Sequence, residues 1–161
     1  MDNLFDELGS EDRDFDVSFL DNDNITLRVS YSQEVENDDY TRQYFSVNAV
    51  DKEGHNLGLI SFNVENGEYI FFGVLLVFKE FGRQGVGSKL VEFMEHVAQQ
   101  SGVSIIRGDF DAEDNRAEKF YNKKGYKIVH IDDYDMVEKC IDTTKLNDNI
   151  SISIDEQELS R

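Results

Sequence analysis

Proline is absent from this 161-residue chain and cysteine occurs once, at Cys140. With no proline and no internal repeat, nothing marks a linker between domains, and one domain is expected. A single cysteine excludes an internal disulfide framework and a cysteine-rich zinc site. It falls in an alternating stretch that reads as strand, so a buried structural thiol is expected. Long apolar runs are missing too. The longest, residues 69–78, is too short to span a bilayer, and the opening "MDNLFDELGSEDRD" is acidic where a signal peptide is basic and then apolar. A cytoplasmic protein with no membrane segment is the expectation. Positive charge is scarce: 16 Lys and Arg face 34 Asp and Glu, for a formal charge of −18 and a pI near 4.3. Such a chain repels polyanions, which argues against a nucleic-acid partner.

What is present supports a globular domain, since 39% of residues are apolar and 12% aromatic. The charge is uneven, with nine acidic residues against Arg13 alone in the first 24 positions. Residues 1–14 are expected to form an acidic, disordered arm, although attraction of a cationic substrate accounts for the same charge. "FDVSFLDNDNITLRVSY" alternates around Asp21–Asn24 as a hairpin does, and "SQEVENDDYTRQ" then breaks the pattern. "YFSVNAV", "LGLISFNV" and "YIFFGVLLVF", with glycine-containing turns between them, predict an antiparallel meander whose last strand lies inside the sheet. Val86, Leu90, Phe93, Met94, Val97 and Ala98 recur at helical spacing up to Ser101 and Gly102. "VSIIRGDF" reads as a strand, and "DAEDNRAEKFYNKKGY" as a shorter helix with Asp111 or Asp114 near its cap and Gly125 past its end. "YKIVHI" and "DMVEKCI" close the fold. The expected class is α+β, a central mixed, mostly antiparallel sheet with a strand, glycine loop and helix in succession, over residues 15–146. Residues 147–161 are expected to form a polar acidic tail in which "ISISI" adds a short edge strand.

The sharpest local signal is "GRQGVGSKL", residues 82–90, between that apolar strand and the first long helix. A helix that starts just after a strand leaves its first N–H groups unpaired, and the dipole favours an anion there. Gly85 and Gly87 let the main chain approach phosphate oxygens, while Lys79, Arg83 and Lys89 add local positive charge. A tight strand-to-helix turn uses the same glycines. Two better-known phosphate loops fit poorly. The nucleotide P-loop requires Lys and then Ser or Thr after its last glycine, and here Ser88 precedes Lys89. The dinucleotide fingerprint is G-x-G-x-x-G in a parallel sheet, whereas this loop is G-x-x-G-x-G after a meander, with Asp109 the one feature in its favour.

Two motifs taken together narrow the ligand. "VFKEFGRQGVGSKL", followed by helix, strand and "NRAEKFYNKKGY", resembles the GCN5-related N-acetyltransferases over about residues 44–141. The resemblance implies the acyl-CoA N-acyltransferase fold and transfer of an acetyl group from acetyl-CoA to an amine. It implies that the main chain of Arg83, Gln84, Gly85, Val86, Gly87 and Ser88 holds the pyrophosphate of acetyl-CoA. It also implies that Leu75 N–H faces the thioester carbonyl and that Val77 bonds the pantetheine arm. The second motif appears as Asn115, Ala117, Phe120, Tyr121, Lys123, Gly125 and Tyr126; within it Asn115 is implied to contact the cofactor side, and Tyr121 to stand near the sulfur. Gly82 departs from the family, which prefers Arg or Gln there.

Acetyl transfer to an amine needs an unprotonated nucleophile, a stabilised oxyanion and a proton for the departing thiolate. Tyr121 is the candidate acid, because a phenol keeps its proton at neutral pH; Phe120 reads as core. For the base, lysine-modifying relatives carry a glutamate midway along the strand before the loop, where this chain has Phe71. Glu68, three residues earlier, is the candidate catalytic base, acting directly or through water. Asp109 and Asp111 are rivals, with capping as their ordinary reading. His55, His96 and His130 receive no role, and no metal is implied. The two helices that members place between the first and second strands do not fit in "SQEVENDDYTRQ". An open acceptor cleft rimmed by Glu34, Glu36, Asp38 and Asp39 follows, suited to a cationic acceptor such as a protein lysine or a polyamine. The partner is an amine, small molecule or protein, and the oligomeric state is open, a homodimer included. Phe71 and the missing helices motivate one alternative: a CoA-binding or interaction module with weak or no catalysis.

Overall fold

Alternating apolar and polar residues along most of the chain build one nine-stranded sheet, seen in a computed structural model that describes residues 3–78, 85–111 and 113–154. After a short helix α1 (Leu4–Leu8), the strands β1 (Arg13–Phe19), β2 (Asn22–Asn37), β3 (Tyr40–Val50), β4 (Asn56–Glu65) and β5 (Tyr69–Val77) follow as an antiparallel meander. Helix α2 (Val86–Ser101) then crosses over to β6 (Ile105–Asp109), which lies parallel to β5, as a crossover connection requires. Helix α3 (Asn115–Lys123) leads to β7 (Lys127–Ile131) and β8 (Tyr134–Cys140), with β8 seated against β6. Last comes β9 (Ile150–Ile154), antiparallel to β1. The spatial order is β7-β8-β6-β5-β4-β3-β2-β1-β9.

The core lies on one face of this sheet. Phe15, Val17, Leu27, Val29, Phe45, Val47, Ile60 and Phe62 alternate toward it, and α2 lays its apolar stripe from Val86 to Ala98 across them, every stripe residue buried. Phe45 stacks on Phe62 at 4.9 Å, and both rings meet Phe93 of α2 at 6.2–6.3 Å. The other face of β2, β3 and β4 carries Ser30, Ser32, Tyr44, Ser46, Ser61 and Asn63 around a shallow concavity. The described helices pack on the first face, so this second face is open.

Four expectations change. Part of the stretch read as a disordered arm is ordered: Asn3 caps α1 in a capping box with Asp6, Leu4 and Leu8 are buried, and the side chain of Gln100 accepts Leu4 N–H at 2.9 Å. Two leucines four residues apart outweigh the acidic composition, because they fall on one helical face. "SQEVENDDYTRQ" is not a break but the outer half of the β2–β3 hairpin, which turns at Asp38 and Asp39. Its alternation is invisible because it projects past the helix-covered core, where Val35 stays 61% exposed. Cys140 is exposed, since pleat parity puts Val137 of β8 toward the core and Cys140 on the opposite face. Finally, "ISISI" is the edge strand β9, with Ile150, Ile152 and Ile154 packed against the core, which carries the folded unit beyond residue 146.

Candidate active site

The site grows from a glycine inside an apolar strand. Across β4 and β5, Ser61 pairs with Val74 and Phe62 with Phe72, leaving Gly73 as an unpaired bulge. The extra residue reverses the side-chain phase. Phe72 faces the core before it; after it, Leu75 and Val77 pack against the core while Val74 and Leu76 turn to the open face. On its other edge β5 pairs with β6 only at Ile70, Phe71 and Phe72. Beyond that rung the two strands part.

Main-chain direction follows from the ladder. Phe78 N–H bonds Leu57 C=O on β4, and inward and outward groups alternate along an antiparallel strand. The N–H groups of Val77 and Leu75 therefore point away from β4, toward the side that β6 has left. A cavity of about 460 Å³ opens there, between Gly73–Leu76 and Asp109–Asp111, with Phe72, Ala117 and Tyr121 behind it. The ring of Phe72 crosses the backbone of Gly108, where a Cβ would come within 2.2 Å of its Cζ. Only glycine at 108 allows the aromatic to reach Tyr121, 5.8 Å away between centroids.

Tyr121 sits on α3, surrounded by Phe72, Phe110, Phe120 and Tyr126. It is 7% exposed, and its hydroxyl makes no hydrogen bond to any described residue. Burial, with a smaller contribution from the Asp114 carboxylate, pushes its phenol up to about 12. Asp114 caps α3, its Oδ1 accepting the N–H groups of Arg116 at 3.0 Å and Ala117 at 3.2 Å. Asn115 is the exposed first residue of that helix.

At the other end of the cavity strand, α2 begins at Gly85 in the left-handed region, φ +76°, with no side-chain cap. The first intrahelical bond runs from Lys89 N–H to Gly85 C=O, so the N–H groups of Val86, Gly87 and Ser88 lack helical partners. Gly87 is squeezed between Phe120 and Val77; a Cβ would stand 3.2 Å from the ring. Arg83 and Gln84, assigned to the same loop by motif, lie outside the described residues, as do Lys79 and Gly82.

Two sequence candidates lie elsewhere. Lys89 does not supply charge to an anion at the helix start: it is buried, and its Nζ bonds Asp21 at 2.6 Å and Glu92 at 3.1 Å. Burial alone would lower its pKa, but the two carboxylates outweigh that and raise it. Asn149 joins the same cluster through Asp21 and Glu92, so the lysine ties the β1–β2 turn and the start of β9 to α2. Glu68 lies in the β4–β5 turn, bonded by Asn66, and does not line the cavity. Five residues of extended strand, roughly 17 Å, separate it from Gly73. The β2–β3 hairpin tip shares that far end of the sheet. There Glu36 and Glu65 hold Arg42, and Glu34 accepts from Tyr44, so these acids do not rim the cavity. The bulge does leave a signal in the sequence, since a lone glycine in a strand pattern marks one.

Comparison with known proteins identifies the family and the fold. The family model described as "Acetyltransferase (GNAT) family" matches residues 10–126. A GNAT-family acetyltransferase from Staphylococcus aureus shares the fold with a TM-score of 0.56 at 14% identity, over 63% of this chain and 68% of that one. PaiA N-acetyltransferase from Thermoplasma acidophilum, in complex with coenzyme A, gives 0.55 at 19% identity over 60% of each chain. Tetrahymena GCN5 gives 0.53 at 17% identity, over 62% of this chain and 69% of that one. No curated protein matches the sequence significantly. No helix among the described residues is long and apolar enough to cross a membrane.

Proposed function

Because the chain belongs to the acetyltransferase (GNAT) family, we propose that it transfers an acetyl group from acetyl-CoA to an amine that arrives as a cation. The observation that carries this reading is the parting of β5 from β6, which opens a cavity beside outward-pointing main-chain N–H groups and the hydroxyl of Tyr121. The residues present fit the cosubstrate. Val86, Gly87 and Ser88 offer three N–H groups without helical partners at the positive end of α2, and the partner assigned to them is the pyrophosphate. Arg83 and Gln84 join them on the strength of the motif, and Asn115 is assigned the contact at the start of α3. Val77 N–H bonds the pantetheine arm.

Acetyl-CoA supplies the activated acyl group, and the chain supplies its surroundings. Leu75 N–H donates to the thioester oxygen as negative charge develops there. Tyr121, which keeps its proton to about pH 12, donates it toward the departing thiolate. Among the described residues, Asp109, Asp111 and Asp114 line the cavity and no basic side chain does, which favours an ammonium-bearing acceptor such as a protein lysine or a polyamine. The test measures thermal stabilisation by coenzyme A together with thiol release and acetylated product from acetyl-CoA. Spermidine and a lysine-containing peptide should exceed an uncharged amine of similar size. Stabilisation without turnover on any amine would support a binding module instead, and no stabilisation at all would remove the cosubstrate.

A further inference from the structure

We infer that Asp109 takes the proton from the acceptor amine, an assignment that rests on the acetyl-transfer reading above. Among the described residues three carboxylates line the cavity, and two of them are already engaged. Asp114 caps α3 through two backbone N–H groups. Asp111 Oδ1 accepts Glu113 N–H at 3.0 Å, and its carbonyl accepts Asp114 N–H at 3.0 Å, so it shapes the turn into that helix. Asp109 is exposed, and its carboxylate makes no hydrogen bond to any described residue.

Its place in the sheet suits the task. Asp109 is the last residue of β6 and the first beyond the final β5–β6 rung at Phe72 and Gly108. Ile106 and Gly108 point to the helix-covered face, so Asp109 shares the open face with Arg107. Arg107 does not neutralise it, because Nε of that guanidinium donates to Glu138 of β8 at 2.7 Å and its plane lies over the ring of Tyr69. Opposite Asp109 on β8 is the uncharged Met136. Among the described residues, Asp135 precedes Met136 on β8 and is paired with His130 of β7, and Asp111 and Asp114 before α3 share the cavity lining. Beyond the bulge, Gly73 to Val77 of β5 add no titratable side chain. Tyr121 meets the cavity from the helix face and Asp109 from the open face. The two proton-transfer groups thus stand on opposite sides of the sheet, with the parted strands between them. The open face is where no described helix blocks an incoming amine, because β2 and β3 are joined by the short turn at Asp38 and Asp39.

In the step so assigned, Asp109 removes one proton from the acceptor ammonium and passes it to solvent. The freed nitrogen forms the C–N bond to the acetyl carbon as the C–S bond breaks. Tyr121 protonates the departing sulfur and is restored by the second proton that nitrogen loses, so one proton is released per acetyl group transferred.

The experiment compares wild type, Asp109→Asn and Asp109→Glu with acetyl-CoA and two probes: spermidine, protonated at neutral pH, and hydroxylamine, largely unprotonated there. Asp109→Asn should lower kcat/KM for spermidine by about 100-fold or more, with the deficit shrinking as pH rises toward the amine's own ionisation. Transfer to hydroxylamine should stay within a few fold, thermal stabilisation by coenzyme A should not change, and Asp109→Glu should recover part of the loss. Equal losses on both probes, or full spermidine activity in Asp109→Asn, would overturn the assignment. If wild type is stabilised by coenzyme A but acetylates neither probe, the acetyl-transfer reading falls and takes this assignment with it.

Discussion

Replacing Tyr121 with Phe separates chemistry from packing, because the two predict changes of opposite sign. The ring lies among Phe72, Phe110, Phe120 and Tyr126 and is 7% exposed, so Phe fills the same space with the same contacts. What disappears is a hydroxyl with no hydrogen bond to any described residue. Burying an unpaired polar group costs about 1–3 kcal/mol, and access to the cavity recovers part of that. The variant should be more stable by about 1 kcal/mol, a rise in Tm of roughly 2–4 °C for a chain of this size. Acetyl transfer should move the other way. Loss of a positioned acid lowers rates by about 10²–10⁴-fold, or roughly 3–5 kcal/mol in the barrier. Stabilisation by coenzyme A should be kept, since the N–H groups proposed to hold the pyrophosphate lie on α2. Calorimetry and single-turnover thiol release on the same preparation would test this. A less stable variant, or one with unchanged turnover, would refute the reasoning.

Lys89→Met should lower Tm by roughly 5 °C, because it leaves Asp21 and Glu92 without their cation and loosens the start of β9. The shift that coenzyme A produces should be unaffected, whereas a phosphate-binding lysine would reduce it. His96 provides a pH test. Burial on α2 holds its imidazole below the ordinary value near 6.5, only partly countered by Glu92, and its Nδ1 has no hydrogen-bond partner among the described residues. Below that pH the unfolded chain takes up a proton more readily than the native one. The stability owed to neutral His96 is therefore complete above about pH 6.5 and is lost as pH falls through it. Urea titrations across that range should show a steeper acid decline in wild type than in His96→Leu.

Much of the scaffold was legible in the sequence because its causes are local. The stripe from Val86 to Ala98, the stop at Gly102, the meander from Tyr44 to Val77 and the helix bearing Tyr121 each follow from spacing within a dozen residues. Gly85 and Gly87 were legible for the same reason, since a left-handed residue and a close helix contact leave their mark on the residue type itself. The resemblance of two motifs then named the ligand class. None of this depends on which face of the sheet a helix covers.

Tertiary structure decided everything that turns on distant partners. Lys89 stands in a phosphate-loop motif, yet Asp21, 68 residues earlier, claims its charge. Cys140 has a core-like neighbourhood in sequence, but parity across β8 exposes it. Glu68 and Asp109 are both carboxylates at strand ends, and local sequence cannot rank them. The strand order can: β5 and β6 run parallel and separate at their C-terminal ends, which puts Asp109 at the cavity and Glu68 a strand-length away. Periodicity within a segment determines what element forms. Only the register between segments determines which side chains share a cavity, because that register is set by contacts made far apart along the chain.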